Sequence, residues 1–416
     1  MTSAQAAEGC PFPHGATPNM AYRDDMFPAL AEARANRPVF FDETIGLWVV
    51  TRHADVSRVL QDPTVFSARN AAVPLTPLHA DARAILDAGG FTPESTVASI
   101  DPPRHTRLRT AFNPQLNPSV VRRLESDIRR IVAGDVAKLE GRNRIDLLAD
   151  FTYELPARVI FLLLGIPEAD VPKVKQLAMG RLQIDFAPST REQQIWGATN
   201  LSGLWRYTCE LVQDRIHNPG QDFTSGLLAL RNGDDSVLTI NEINTITYGL
   251  VFAGHETTTN QLTNAIREML IARENWEAIC ADPSLIPNAI EEGLRHAGSV
   301  IGWRRTAMED VELGGVTIPA GAPLLLSFLS ANRDPEVFED PERFDVRRTN
   351  ARRHLTLGAG IHFCLGASLT RLEMKLSLEA LTERYPNMRL AADEPVEHFN
   401  TFIMRAPERL MVDLNP

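Results

Sequence analysis

Apolar residues recur at helical spacing over most of the chain, broken by short polar or Gly- and Pro-containing segments. The run "MFPALAEARAN" predicts a short helix, and "HADVSRVLQD" predicts another. Helical spacing returns over 102–112, 118–139, 168–182 and 193–217. The stretch "ADFTYELPARVIFLLLGI" is apolar enough to be buried on most sides. The strongest pattern starts at Thr239, where "TINE" forms a capping box with Glu242. It continues to about Arg273 and spans roughly 50 Å, enough to run through the middle of a domain. "PNAIEEGLRHAG" and 365–382 complete the helices. Alternating patterns are fewer. "VFFDETIGLWVVTR" reads as two strands around a turn at 43–46, and "DVELGGVTIPAGAPLLLSFLSANRD" reads as small sheets. Strand-like pieces in "FIMRAPERLMVDL" end the chain. Residues 70–99 are irregular, the pattern of a functional lid or of disorder. The expected class is mainly α with small β-sheets (α+β): a flexible arm over 1–20, then a single domain over 21–416.

Composition narrows the partners. A net charge of −11 argues against wrapping nucleic acid through bulk charge. Cys10, Cys209, Cys280 and Cys364 form no CxxC pair, so zinc and iron–sulfur signatures are missing. The N-terminus has neither a basic start nor an apolar run, so no signal peptide is expected. The most apolar run, "VIFLLLGI", is far short of the roughly 20 residues that cross a bilayer. A cytoplasmic protein without a membrane anchor is expected, as a monomer.

Several segments carry candidate chemistry. In "HLTLGAGIHFCLGASLTRLE", Cys364 sits on a loop with Gly358, Gly360 and Gly366, just ahead of a helix. Free N–H groups at a helix start stabilise a thiolate. Position alone leaves a space-filling thiol, a nucleophile and a metal ligand open. The middle of the long helix, "LVFAGHETTTNQ", breaks helix rules with Gly254 and three consecutive threonines, and sets Glu256 among buried neighbours. Such breaks occur at functional sites. The alternative is a solvent-facing Glu256 beside threonines bonded back to the preceding turn. In "DPPRHTRLR", His105 and Arg109 lie one turn apart, as a carboxylate clamp or as a wet basic edge. Glu292 and Arg295 in "EEGLR" are either a surface pair of little worth or part of a buried network.

"AGHET", "EEGLR", "PERFD" and "LGAGIHFCLG", in that order, resemble the motifs of the cytochrome P450 family, and the chain is similar to its soluble bacterial members. Leu357 stands where the cysteine signature usually opens with Phe. The resemblance implies a helical, triangular prism around heme b, with Cys364 as the axial thiolate on iron and Gly358 and Gly366 in its loop. His105, Arg109, Arg305, His354 and His362 would contact the heme propionates. Ala253 and Gly254 would open a distorted, kinked stretch of helix beside the heme for O2. Thr257 and Glu256 would deliver protons, while His255 has no assigned task. Glu292, Arg295 and Arg343 would form a structural network. Val97, Phe186, Leu250, Val300 and Phe402 would wall a substrate pocket.

The implied activity is that of a heme-thiolate monooxygenase. It would insert one atom of O2 into a small or medium apolar organic substrate by hydroxylation, epoxidation or oxidative dealkylation. Electrons would come from a separate ferredoxin or flavodoxin and its NAD(P)H-dependent reductase, since the chain leaves no room for a fused one. Arg104, Arg107, Arg122, Arg123, Arg129 and Arg130 would dock that partner. The alternatives are an H2O2-dependent peroxygenase, which commonly departs from the acid–Thr pair, and a non-catalytic heme-binding or sensor protein.

Overall fold

A computed structural model describes residues 26–74, 76–187, 189–391, 396–398 and 403–415. The expected arm over 1–20 and the pocket residue Phe402 lie outside the described residues. The class is mainly α with small β-sheets.

The helix Ile240–Ile271 organises the rest. Thr239 caps it: its hydroxyl accepts from Glu242 N at 3.0 Å, and Glu242 Oε2 accepts from Thr239 N at 3.0 Å. Nearly every side is buried, including Thr258, Thr259, Asn260 and Asn264, as expected of a helix enclosed by others. Helices Leu155–Leu164, Arg191–His217 and Ile286–His296 pack around it. It ends two residues before the expected boundary. Ala272 leaves helical geometry (φ −92°, ψ 75°), and a separate helix, Arg273–Ala281, follows.

The larger sheet is mixed, with strands in the order Val39–Asp42, Leu47–Val50, Pro323–Ser327, Gly302–Ala307 and Phe66–Ser67. The expected hairpin pairs Val39 with Val50 and turns through Gly46 at φ +65°. Strands Val311–Leu313 and Val316–Ile318 turn through Gly314 and Gly315, both at positive φ. A third sheet joins Arg144–Asp146, Met411–Asp413 and Arg389–Leu390.

Three expectations change. The irregular segment 70–99 contains the helix Ala80–Ala88, capped by His79 Nδ1 rather than by one of the usual cap residues. Residues 118–139 form two helices, Pro118–Arg123 and Glu125–Ala137. Phe223–Arg231 is a further helix, capped by Asp222. Among the described residues, no helix is long and apolar enough to cross a membrane.

Candidate active site

The loop before helix Ala367–Arg384 is shaped by backbone geometry. Gly358 and Gly360 adopt φ +69° and +65°. A Cβ on Gly360 would stand 2.5 Å from Leu60 O, so glycine is required there twice over. Cys364 N donates to Leu357 O at 2.9 Å, which closes the loop. Burial pushes the Cys364 thiol up, while the nearby N–H groups of Gly366 and Ala367 and the positive charge of Arg109 and Arg371 act in the opposite direction. What surface Cys364 keeps faces a cavity. Gly366 also lines that cavity, and a Cβ there would sit at an ordinary 3.9 Å from the sulfur.

About 310 Å³ of this cavity is open to the centre of a water molecule. Its walls include Ala253, Gly254 and Thr257 of the central helix, together with Val97, Phe186, Leu250 and Val300. Thr257 Oγ1 donates to Ala253 O at 2.9 Å and is exposed to the cavity. The helix runs unbroken through this turn, so the expected distortion does not interrupt it. Gly254 has a packing reason: a Cβ there would meet Ile160 Cγ1 at 2.3 Å and Ile160 Cδ1 at 2.7 Å.

A group of cations meets at one side. Arg109, Arg305 and His362 line the cavity, and the His105 ring lies 4.4 Å from that of His362. Arg109 Nη2 donates to Phe363 O at 2.6 Å, and Arg305 Nη1 donates to Arg304 O at 2.8 Å. Both His105 ring nitrogens and His362 Nε2 are buried without a hydrogen-bond partner. Burial, then Arg305 and His105, depress His362 to about 4. Buried polar nitrogens left unmatched among guanidinium groups fit a pair of incoming carboxylates. Heme offers two propionates and an iron for a thiolate. The residues present therefore fit heme, with Cys364 as ligand and Arg109, Arg305, His105 and His362 around its carboxylates.

Glu256 is not in the cavity wall. Successive helical side chains point about 100° apart, so Thr257 faces the cavity while Glu256 faces an enclosed space behind it. Its Oε1 lies 3.4 Å from Asn260 Nδ2, its Oε2 3.7 Å from His255 Nε2, and Lys175 is electrostatically coupled to it. Burial raises the Glu256 carboxyl and lowers Lys175 to about 7, so both are pushed towards their neutral forms. Lys175, from helix Val171–Arg181, gave no sequence signal beyond an amphipathic pattern. Burial also lowers His255, to about 4.

Two assignments are corrected. His354 does not reach the cavity. Its Nε2 lies 3.2 Å from Glu291 Oε2, and Arg371 Nε donates to Glu291 Oε1 at 2.7 Å. Arg343 contributes only its carbonyl, which accepts from Arg295 Nη2 at 3.0 Å, and its own side chain is exposed. The third side chain of the network is Arg348, whose Nε lies 3.1 Å from Glu292 Oε1. Glu292 and Arg295 are fully buried and joined by two bonds of 2.7 Å. Glu373, another residue the motifs did not single out, lines the cavity, and its carboxyl is pushed well up by burial.

The expected basic docking face is mostly neutralised. Arg104 pairs with Glu94 and Glu242, Arg107 with Glu242, Arg129 with Glu125 and Glu379, and Arg130 with Asp127. Arg122 and Arg123 remain exposed, with no ion pair among the described residues.

Comparison with known proteins agrees with this geometry. The family model "Cytochrome P450" matches residues 205–413. Nocardicin C N-oxygenase of Nocardia uniformis subsp. tsuyamanensis is 35% identical over 395 residues, covering 93% of this chain and 95% of that protein. Cytochrome P450 monooxygenase PikC of Streptomyces venezuelae is 36% identical, covering 88% and 85%. The solved structure of cytochrome P450 CREJ with (4-ethylphenyl) dihydrogen phosphate is 38% identical, with a TM-score of 0.92, covering 97% of this chain and all of that one.

Proposed function

The chain belongs to the cytochrome P450 family, and on that premise we propose that it is a heme-thiolate monooxygenase acting on a small or medium organic substrate. The observation that carries the reading is Cys364, set on a glycine-shaped loop at the start of helix Ala367–Arg384 and lining the same cavity as Thr257. When bound, heme b supplies the activation of O2 and the oxidation of substrate, and an axial thiolate favours O–O cleavage.

The chain's own residues supply the rest. Gly366 N and Ala367 N stabilise negative charge on Cys364 Sγ. Arg109, Arg305, His105 and His362 hold carboxylates and so fix the cofactor's orientation. Thr257 Oγ1 presents a hydroxyl to the reacting space. Glu256, behind it, passes protons to Thr257 by turning about its side-chain bonds. Burial, which raises the Glu256 carboxyl and lowers Lys175 to about 7, brings both towards the range in which protons move near neutral pH.

Val97, Phe186, Leu250 and Val300 exclude water and hold the apolar body of the substrate. A relative named nocardicin C N-oxygenase, another named vitamin D(3) 25-hydroxylase and a neighbour bound to (4-ethylphenyl) dihydrogen phosphate support a small or medium organic substrate. Electrons come from a separate ferredoxin or flavodoxin with its NAD(P)H-dependent reductase, docked at a surface that includes Arg122 and Arg123, in the cytoplasm. The retained Glu256–Thr257 pair favours O2 over hydrogen peroxide as oxidant.

The test is the spectrum of reduced, carbon monoxide-bound protein. The red-shifted Soret band of thiolate ligation is expected, and Cys364→Ala should abolish it together with turnover. A well-folded wild-type protein whose band marks a neutral axial ligand overturns the reading.

A further inference from the structure

One cation of the cavity has no task in oxygen chemistry or in holding carboxylates of the cofactor. Arg181 ends helix Val171–Arg181, and its side chain lines the cavity. Its Nε donates to Asp185 Oδ2 at 3.0 Å, within the turn Leu182–Phe186. Nη1 and Nη2 make no hydrogen bond among the described residues. The rings of Tyr248 and Phe252 flank the guanidinium, with centroids 5.3 and 5.8 Å from it. Gly249, another cavity residue, lies next to the fork: a Cβ there would stand at an ordinary 3.8 Å from Nη1.

The neighbouring charges point the same way. Arg304 is a second guanidinium whose positive charge acts on Asp185. Arg304 Nη2 is committed to the carbonyls of Ala71 at 3.2 Å and Val73 at 2.6 Å. The unbonded Nη atoms of Arg181 are presented in a wall that is otherwise apolar around Phe186, Leu250 and Val300. A buried cation with free donors in such a setting is costly until an anion meets it. A planar fork suits a two-oxygen acceptor.

We propose that Arg181 recognises an anionic oxygen head group, a carboxylate or phosphate monoester, on a substrate whose body is apolar. The inference rests on the heme-thiolate reading, which supplies the reacting end of the cavity. It makes Arg181 a specificity residue that sets which end of the substrate lies away from Thr257.

The test uses heme-loaded protein and two series of iron-ligating probes, ω-imidazolyl alkanoic acids and the matching ω-imidazolyl alkanols, over a range of chain lengths. Wild type should bind the acid at least about tenfold more tightly than the alcohol at one or more lengths, the strength of a charge-assisted pair. Arg181→Gln should erase that preference by weakening the acids far more than the alcohols, and Arg181→Lys should restore part of it. Equal affinity of acid and alcohol at every length overturns the proposal, and so does an acid preference that survives Arg181→Gln. Carbonyl spectra report folding of each variant. A carbonyl spectrum that marks a neutral axial ligand in well-folded wild type sinks the heme-thiolate reading instead, and calorimetry of the same titrations then still decides the acid preference.

Discussion

The Cys364 side of the cavity and its substrate wall are built by different means. Around Cys364, positive-φ glycines and main-chain hydrogen bonds set the backbone, and the buried Glu292–Arg295–Arg348 ion network ties helix Ile286–His296 to the loop that carries Arg343. The wall is carried mostly by side chains, from the segment Leu182–Phe186 and the segment around Val97, with backbone pairing at the isolated bridge between Val300 and Met404. Phe186 stacks on Phe252 at 5.8 Å and Val97 packs against the main core, so apolar contact shapes these two parts of the wall. The lesson is that the part needed for every substrate is set by backbone, where few residue types fit. The part that chooses a substrate is set by side chains, which change without refolding the chain.

That contrast predicts unequal costs. The largest should come from Glu292→Gln, which leaves Arg295 and Arg348 facing a buried neutral amide. A loss of about 3–5 kcal/mol is expected, measured by urea unfolding of the heme-loaded protein. Arg343→Ala removes an exposed side chain and keeps the carbonyl that Arg295 uses, so it should stay within about 0.5 kcal/mol. Equal losses in the two variants would return Arg343 to the network and break the correction.

The next effect depends on pH. Burial alone would raise Glu291, but hydrogen bonds from His354 and Arg371 outweigh it and hold the carboxyl near about 2, below its ordinary 4.5. In the window between those values the unfolded chain binds more protons than the folded one, so stability rises with pH. The stabilisation is complete above about 4.5 and disappears as pH falls towards about 2. The gap in unfolding free energy between wild type and Glu291→Gln should therefore be flat from neutral pH down to that upper value, at up to about 3 kcal/mol, then close. A gap that widens on acidification would contradict the assignment.

What could be read from sequence follows the same division. The Cys364 loop and the Thr239 cap were legible because each depends on residue types that few other arrangements demand: glycine where φ is positive, and Thr with Glu three residues apart. The helix Ala80–Ala88 was hidden because His79, an unusual cap, starts it. Arg348 was missed for Arg343 because the two sit five positions apart in one loop, and only the fold tells which side chain turns inward. Arg181 and Lys175 looked like ordinary helix cations. Their meaning comes from neighbours remote in sequence, Tyr248 and Gly249 for one and Glu256 for the other.

Thr257→Ala probes the reacting space between the two regions. It removes one hydroxyl and little packing, so folding and the carbonyl spectrum should be preserved. The share of NADH consumption that ends in product should fall about tenfold, a modest fraction of what positioned proton transfer contributes. Tight coupling in this variant would take Thr257 out of the proton path.

The smallest effect sets two opposing terms against each other at Gly254. Replacing it with Ala gains about 1 kcal/mol of helix propensity. The new methyl, however, would lie 2.3 Å from Ile160 Cγ1 and 2.9 Å from Ile160 Cβ, so more than the far end of a flexible side chain must move. Overpacking of this kind costs about 1–3 kcal/mol. The clash should win narrowly, with a net loss of about 1 kcal/mol in urea unfolding. Ile160→Ala empties the space the methyl needs, so the double variant should be more stable than the sum of the two single losses predicts. Simple additivity would mean that the central helix and Leu155–Leu164 separate freely, and that their contact is as adaptable as the substrate wall.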